Sequence, residues 1–127
     1  MTELPFILTG TVLHGRSFGR TIDMPTANIV PREDVSALSF GVYYSLITVD
    51  GVTYKAITNL GRRPTVEDGD FVNAESFIYD FEGDLYDKEI SVKLLEFKRP
   101  ERKFDSFEAL SEAMHEDLEE GRMYKEK

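Results

Sequence analysis

The sequence predicts a mainly β domain: a closed or nearly closed antiparallel barrel with one helix at its C-terminal end. Three observations carry this. Short runs rich in β-branched and aromatic residues recur at close spacing from Phe6 to Arg99. Two of them are separated by Asp50-Gly51, the dipeptide favoured in a type I′ hairpin turn. Only the last stretch of the chain repeats its apolar residues at helical period. Antiparallel strands without crossover helices hide their edges by closing the sheet, which makes a barrel the expected solution.

Taken in order, residues 6–14 form a first strand with Ile7, Leu8, Val12 and Leu13. A loop follows with Gly15, Arg16, Gly19 and Arg20, then a tight Pro25-Thr26-Ala27-Asn28 turn. Ile29-Val30 begins a short strand that Pro31 ends. Residues 32–40 are an irregular connection. Residues 41–49 and 52–59 pair as a hairpin around Asp50-Gly51, because both central turn positions need positive φ. Gly61-Arg62-Arg63-Pro64-Thr65 then breaks the strand. An acidic loop at 66–70 leads to a strand over 71–81, a turn at Glu82-Gly83-Asp84, and a last long strand over 89–99. Its apolar side switches face between Leu94 and Leu95, which predicts a bulge or strong twist. In the C-terminal helix, Asp105 and Glu108 stand at capping-box spacing. Phe107, Leu110, Met114 and Leu118 make one stripe, and Gly121 is the expected stop. No repeat, linker or low-complexity segment interrupts the chain.

A chain of 127 residues is long enough for one domain with a real core, so residues 1–127 are read as one unit. The formal net charge of −9 argues against nucleic-acid or anionic-membrane binding, since both need an excess of Lys and Arg. A phosphorylated ligand would have to be met by locally concentrated cations, as at Arg16 and Arg20 or Arg62 and Arg63. The absence of cysteine excludes disulfides, zinc–thiolate sites and thiol catalysis. His14 and His115 are too far apart in sequence to suggest a metal pair. No signal peptide or membrane-length apolar run is visible, so the cytoplasm is the expected compartment.

The chemistry concentrates between Gly10 and Asn28. Glycines, arginines, a hydroxyl and an amide gathered in one loop suit an anion, above all a nucleotide phosphate with its metal. Gly15-Arg-Ser-Phe-Gly19-Arg20-Thr21 echoes a P-loop, but it is one residue short, has Arg for Lys and leads to Pro25 rather than a helix. Glycines alone would suit any surface loop, and Asn28 alone could bond its own backbone. Thr26, however, offers a hydroxyl suited to magnesium. Glu75 is a carboxylate among β-formers; it either faces solvent or, turned to the loop, accepts a proton from an attacking hydroxyl. Asn59 to Thr65 is a turn or a ligand-binding flap. Arg99 to Phe104 taken alone is a solvated connector. Tyr43, Tyr44, Tyr54, Tyr79 and Tyr86 are core or barrel-surface aromatics.

Together these segments resemble the riboflavin kinase (flavokinase) family. Gly10-Thr-Val-Leu-His-Gly15 and Gly19-Arg-Thr-Ile-Asp-Met-Pro-Thr-Ala-Asn28 match its phosphate-loop motifs. Gly41-Val-Tyr43, Asn59-Leu-Gly-Arg-Arg-Pro-Thr65, Glu75, Phe81, Asp84-Leu-Tyr86, Arg99-Pro-Glu-Arg-Lys-Phe104 and Asp117 follow in the family's order. The resemblance implies a six-stranded antiparallel Greek-key barrel with a C-terminal helix. It implies transfer of the γ-phosphoryl group of ATP to the 5′-hydroxyl of riboflavin, giving FMN, with Mg2+ or another divalent cation. By carry-over, Thr26 and Asn28 hold the metal and nucleotide phosphates, with Thr26 as the metal ligand. Gly15, Gly19 and Arg20 belong to the loop over the nucleotide. Glu75 is the catalytic base, and Asn59, Arg63 and Arg99 border the flavin. The expected partners are small molecules only, and the expected state is a monomer. A non-catalytic flavin sensor or carrier is the alternative.

Three residues depart from the family pattern. Asp23 replaces the glycine two residues before Pro-Thr, Asp87 replaces a turn glycine, and Ser76-Phe77 replaces a Thr-His-like pair. The chain begins near the kinase motif and has no His-x-Gly-His segment, so FAD synthesis is not expected of it.

Overall fold

The alternating segments pair into six antiparallel strands. The computed structural model describes residues 4–13, 25–65, 69–101 and 106–125, apart from the side chains of 63–65, 69, 70, 107 and 110. The strands are β1 (Phe6–Thr11), β2 (Thr26–Ile29), β3 (Gly41–Val49), β4 (Val52–Thr65), β5 (Gly69–Ile78) and β6 (Glu89–Pro100), followed by the helix α1 (Phe107–Met123). They lie in the order β1-β6-β3-β4-β5-β2. β3, β4 and β5 form a meander and β6 returns to lie beside β3, which is the Greek-key arrangement.

The sheet curls into a half-barrel whose edge strands approach each other. The Leu13 N–H donates to the Asn28 carbonyl at 2.8 Å, and the Arg32 N–H to the Thr9 carbonyl at 3.1 Å. Gly10 allows this approach, because a Cβ there would lie 2.9 Å from the Ile29 Cβ. Inward-facing Leu8, Ile29, Tyr43, Ile47, Leu60, Ile78 and Leu94 fill the interior. A second cluster lies outside the sheet, where Met114 and Leu118 of α1 cover Val42, Ile57, Phe77 and Tyr79. Among the described residues, no helix is long and apolar enough to cross a membrane.

The hairpin turn has positive φ at Asp50 (51°) and Gly51 (79°), as the dipeptide requires. Asp87, the residue standing for a family glycine, has φ 66°, a conformation Asp tolerates better than most side chains. β6 contains the expected bulge. Tyr44 faces Glu96 and Ser45 faces Leu94, which leaves Leu95 as the extra residue. A second register shift sets Tyr43 opposite Phe97 and Val42 opposite Arg99, which leaves Lys98 extra.

Strand ends shift, with β1 ending at Thr11 and β5 spanning Gly69–Ile78, and four further local expectations change. Thr26-Ala27-Asn28 is not a turn but most of β2, because Ala27 and Ile29 alternate into the core and the backbone pairs with β5. Val30 lies beyond that strand. β4 does not break at Gly61 but runs to Thr65, paired only with β5 past Leu60; one strand edge is free there, and Pro64 is tolerated. The N-cap of α1 is Ser106, whose Oγ accepts from the Ala109 N–H at 3.1 Å, rather than Asp105. Gly121 does not stop the helix. It lies inside α1 because a Cβ there would stand 2.5 Å from Ile57 Cδ1 and 2.6 Å from the Tyr79 hydroxyl. The Tyr79 hydroxyl donates to the Leu118 carbonyl, and Lys55 Nζ donates to the Arg122 carbonyl at 2.9 Å, a cation at a helix C-terminus.

Candidate active site

Strand register brings the predicted polar residues into one row. On β2, Ala27 and Ile29 enter the core, so Thr26 and Asn28 take the outer face. The same parity places Asn73, Glu75 and Phe77 of β5 outward, with Ala74 and Ile78 inward. On β4 it places Ile57, Asn59 and Gly61 outward. Asn28 is the register partner of Glu75, and Glu75 is the partner of Asn59. Asn59 faces Val42 on β3, and Val42 faces Arg99 on β6. Residues far apart in sequence thus form a continuous line, Asn28–Glu75–Asn59–Val42–Arg99, across five strands.

The row has the character of a ligand site. Glu75 is only 4% exposed and is flanked on both sides by amide residues. Asn28 Oδ1 accepts from Asn73 Nδ2 at 3.1 Å, which fixes the amide orientation two residues from Thr26. Among the described residues, Asn59 Oδ1 is buried without a hydrogen-bond partner. A buried unpaired acceptor costs about 1–3 kcal/mol, so such an atom points to a missing donor. At the β6 end, Arg99 donates from Nε to Asp117 Oδ1 and Oδ2 at 3.1 and 3.2 Å and from Nη2 to Oδ2 at 2.6 Å. The guanidinium expected beside the flavin is thus held by a helix carboxylate. Gly61 lies two residues beyond Asn59 and accommodates Glu101; a Cβ there would collide with Glu101 Oε1.

The structure brings together Thr26, Asn28, Glu75 and Asn59, with Arg99 at the end of the same row. The backbone of Arg63 continues β4 opposite Phe71, and its side chain lies outside the described residues. Gly15, Gly19, Arg20 and Asp23 also lie outside them. Sequence reasoning missed Asn73, and held Glu101 only as part of the Arg99–Phe104 motif. Asn73 stands two residues before Glu75, so strand alternation alone would have put both on one face. Among the described residues, no three His, Asp or Glu side chains gather to hold a metal by themselves. Thr26 and Asn28 instead offer neutral oxygens. That set fits a hard divalent cation that takes its other ligands from phosphates and water.

The flavokinase family model, described as riboflavin kinase, matches residues 2–125. The chain belongs to the riboflavin kinase family. Riboflavin kinase of Mus musculus is 33% identical over 130 residues, covering 96% of this chain and 82% of the mouse protein. The bifunctional riboflavin kinase/FMN adenylyltransferase of Listeria monocytogenes is 36% identical over 120 residues. That match covers 94% of this chain but 38% of the Listeria protein, so the chain spans well under half of such bifunctional relatives. Among solved structures, one named macrolide-efflux protein, from Streptococcus pneumoniae, superposes with TM-score 0.82 at 33% identity, covering 95% of this chain and 40% of that one. Riboflavin kinase of Trypanosoma brucei superposes with TM-score 0.62 at 22% identity, covering 93% and 75%, and shares the fold.

Proposed function

We propose that this domain transfers the γ-phosphoryl group of ATP to the 5′-hydroxyl of riboflavin, forming FMN and ADP. The observation that carries the reading is the outer-face row with Glu75 at its centre, in a chain of the riboflavin kinase family. Glu75 accepts the proton of the ribityl hydroxyl as its oxygen attacks the γ-phosphorus, and the bond to the ADP oxygen breaks. The flanking amides orient the reactants, which is most of what phosphoryl transfer asks of a protein. Asn59 Oδ1 takes a donor from the flavin side. Thr26 and Asn28 face the nucleotide phosphates and would hold Mg2+, which when bound neutralises phosphate charge. Gly15, Gly19 and Arg20 cover the nucleotide in this reading, and Arg63 and Arg99 border the flavin. The chain acts as a single domain, as a cytoplasmic monomer on small-molecule substrates.

Incubation with riboflavin, ATP and magnesium, followed by chromatography, is expected to yield FMN. Riboflavin that stays bound but unphosphorylated would overturn catalysis and leave a flavin-binding module.

A further inference from the structure

The outer-face row ends on a buried charge cluster that the phosphoryl-transfer chemistry does not use. Asp117, 2% exposed, sits on α1 beneath the end of β6. Besides the forked contact from Arg99, it receives Lys98 Nζ at 2.9 Å, and Lys98 also reaches Glu120 at 2.9 Å. The bulge makes this possible. A regular strand would send Lys98 and Arg99 to opposite faces, whereas the extra residue lets both reach one carboxylate. Burial by itself would lower the Lys98 pKa, but hydrogen bonds to Asp117 and Glu120 outweigh it and the pKa is raised.

Holding the helix down does not fall to this cluster alone. Met114 and Leu118 already pack α1 on the sheet, and a buried ion pair adds little beyond what apolar side chains of similar volume would give. What the cluster does add is a fixed position for the end of β6. Directly after Arg99 the chain passes Pro100 to Glu101, whose carboxylate rests on Gly61, beside Asn59 on the outer face.

We propose that Asp117 is a positioning residue for the flavin. By clamping Arg99 and Lys98 it sets where Pro100 and Glu101 stand relative to Asn59 and Glu75, and so sets riboflavin affinity separately from nucleotide affinity. This rests on the riboflavin kinase reading above.

The test is Asp117→Asn, which keeps the shape and removes the charge. Steady-state kinetics give KM for riboflavin, KM for ATP and kcat, while quenching of flavin fluorescence gives riboflavin Kd without turnover. Riboflavin KM and Kd are expected to rise about tenfold, with ATP KM and kcat within about twofold. Glu120→Gln, which removes only the outer partner of Lys98, is expected to match wild type. Unchanged riboflavin Kd, or equal losses for both substrates, would overturn the proposal. If Asp117→Asn fails to fold, Arg99→Lys keeps the charge but loses the planar fork. It is expected to weaken riboflavin binding in the same direction, and unchanged Kd in that variant would overturn the proposal. Wild-type protein that binds riboflavin without making FMN removes the kinase reading alone, and the Kd comparison still decides the clamp. Wild-type protein that binds no riboflavin removes both.

Discussion

The two faces of β2, β5 and β4 are built from alternate residues of the same segments and obey different rules. Facing inward, Ile29, Ala74, Ile78 and Leu60 are fully buried, and the polar groups among them are paired. Thr58 Oγ1 bonds Ser45 Oγ at 2.7 Å and Ser76 Oγ at 2.8 Å, so three buried hydroxyls satisfy one another. Facing outward one residue along, Asn28, Glu75 and Asn59 line up, and among the described residues Asn59 Oδ1 is left without a partner. The inner face is built for stability. The outer face keeps an unpaired acceptor beside a buried carboxylate, and the unpaired acceptor costs stability, as expected where a site is held ready for a ligand. Parity along the strand therefore decides what a substitution does.

The sharpest break of that contrast is Glu75→Gln. Turnover is expected to fall by about 10²–10⁴, the usual contribution of a general base, while thermal unfolding stays near wild type. Initial rates of FMN formation and a melting curve check both halves, and near-normal turnover would remove Glu75 from the chemistry. Asn59 and Leu60 come next, as sequence neighbours on opposite faces. Leu60→Ala is expected to lose about 2–5 kcal/mol of stability in urea denaturation, with riboflavin Kd unchanged for the folded protein. Asn59→Ala is expected to shift stability by under about 1 kcal/mol and weaken riboflavin binding about tenfold. Exchange of those two phenotypes would show that the faces are not divided as described.

Much of this division was readable from the chain. The hairpin at Asp50-Gly51, the bulge after Leu94 and the helix stripe through Met114 and Leu118 each follow from local chemistry and stand where local chemistry puts them. The motif around Glu75 named the residue. What could not be read was the register that sets Asn28 and Asn59 on either side of it, because pairing between distant strands leaves no local trace. Gly121 shows the same limit. Its glycine suits a helix end, yet its reason is the approach of Ile57 and Tyr79 from another layer. Pro25-Thr26-Ala27-Asn28 looks like a turn by composition, and the core accepts Ala27 and Ile29 as a strand instead.

The smallest expected effect lies where β1 meets β6, outside the polar row. Glu89 accepts from Arg32 Nη2 at 2.7 Å and from the Thr11 hydroxyl. The hydrogen bond from Arg32, then that from Thr11, holds its carboxyl at about 2 against an ordinary 4.5. Nearby, burial would raise the Glu33 pKa, but hydrogen bonds from the Thr9 hydroxyl and N–H lower it. For a carboxylate whose folded value is depressed, the stabilising contribution is complete above the unfolded value and is lost as pH falls toward the folded one. Glu89→Gln should therefore be slightly less stable than wild type at neutral pH, with the difference closing between pH 4.5 and about 2. The pair is exposed, so the difference is small and should shrink further in about 1 M salt. Urea midpoints across that range measure it. Riboflavin Kd at neutral pH should not move, because Glu89 stands at the far end of β6 from Arg99. A flavin affinity that did follow Glu89 would mean that the polar row answers to the closure of the barrel rather than to its own face.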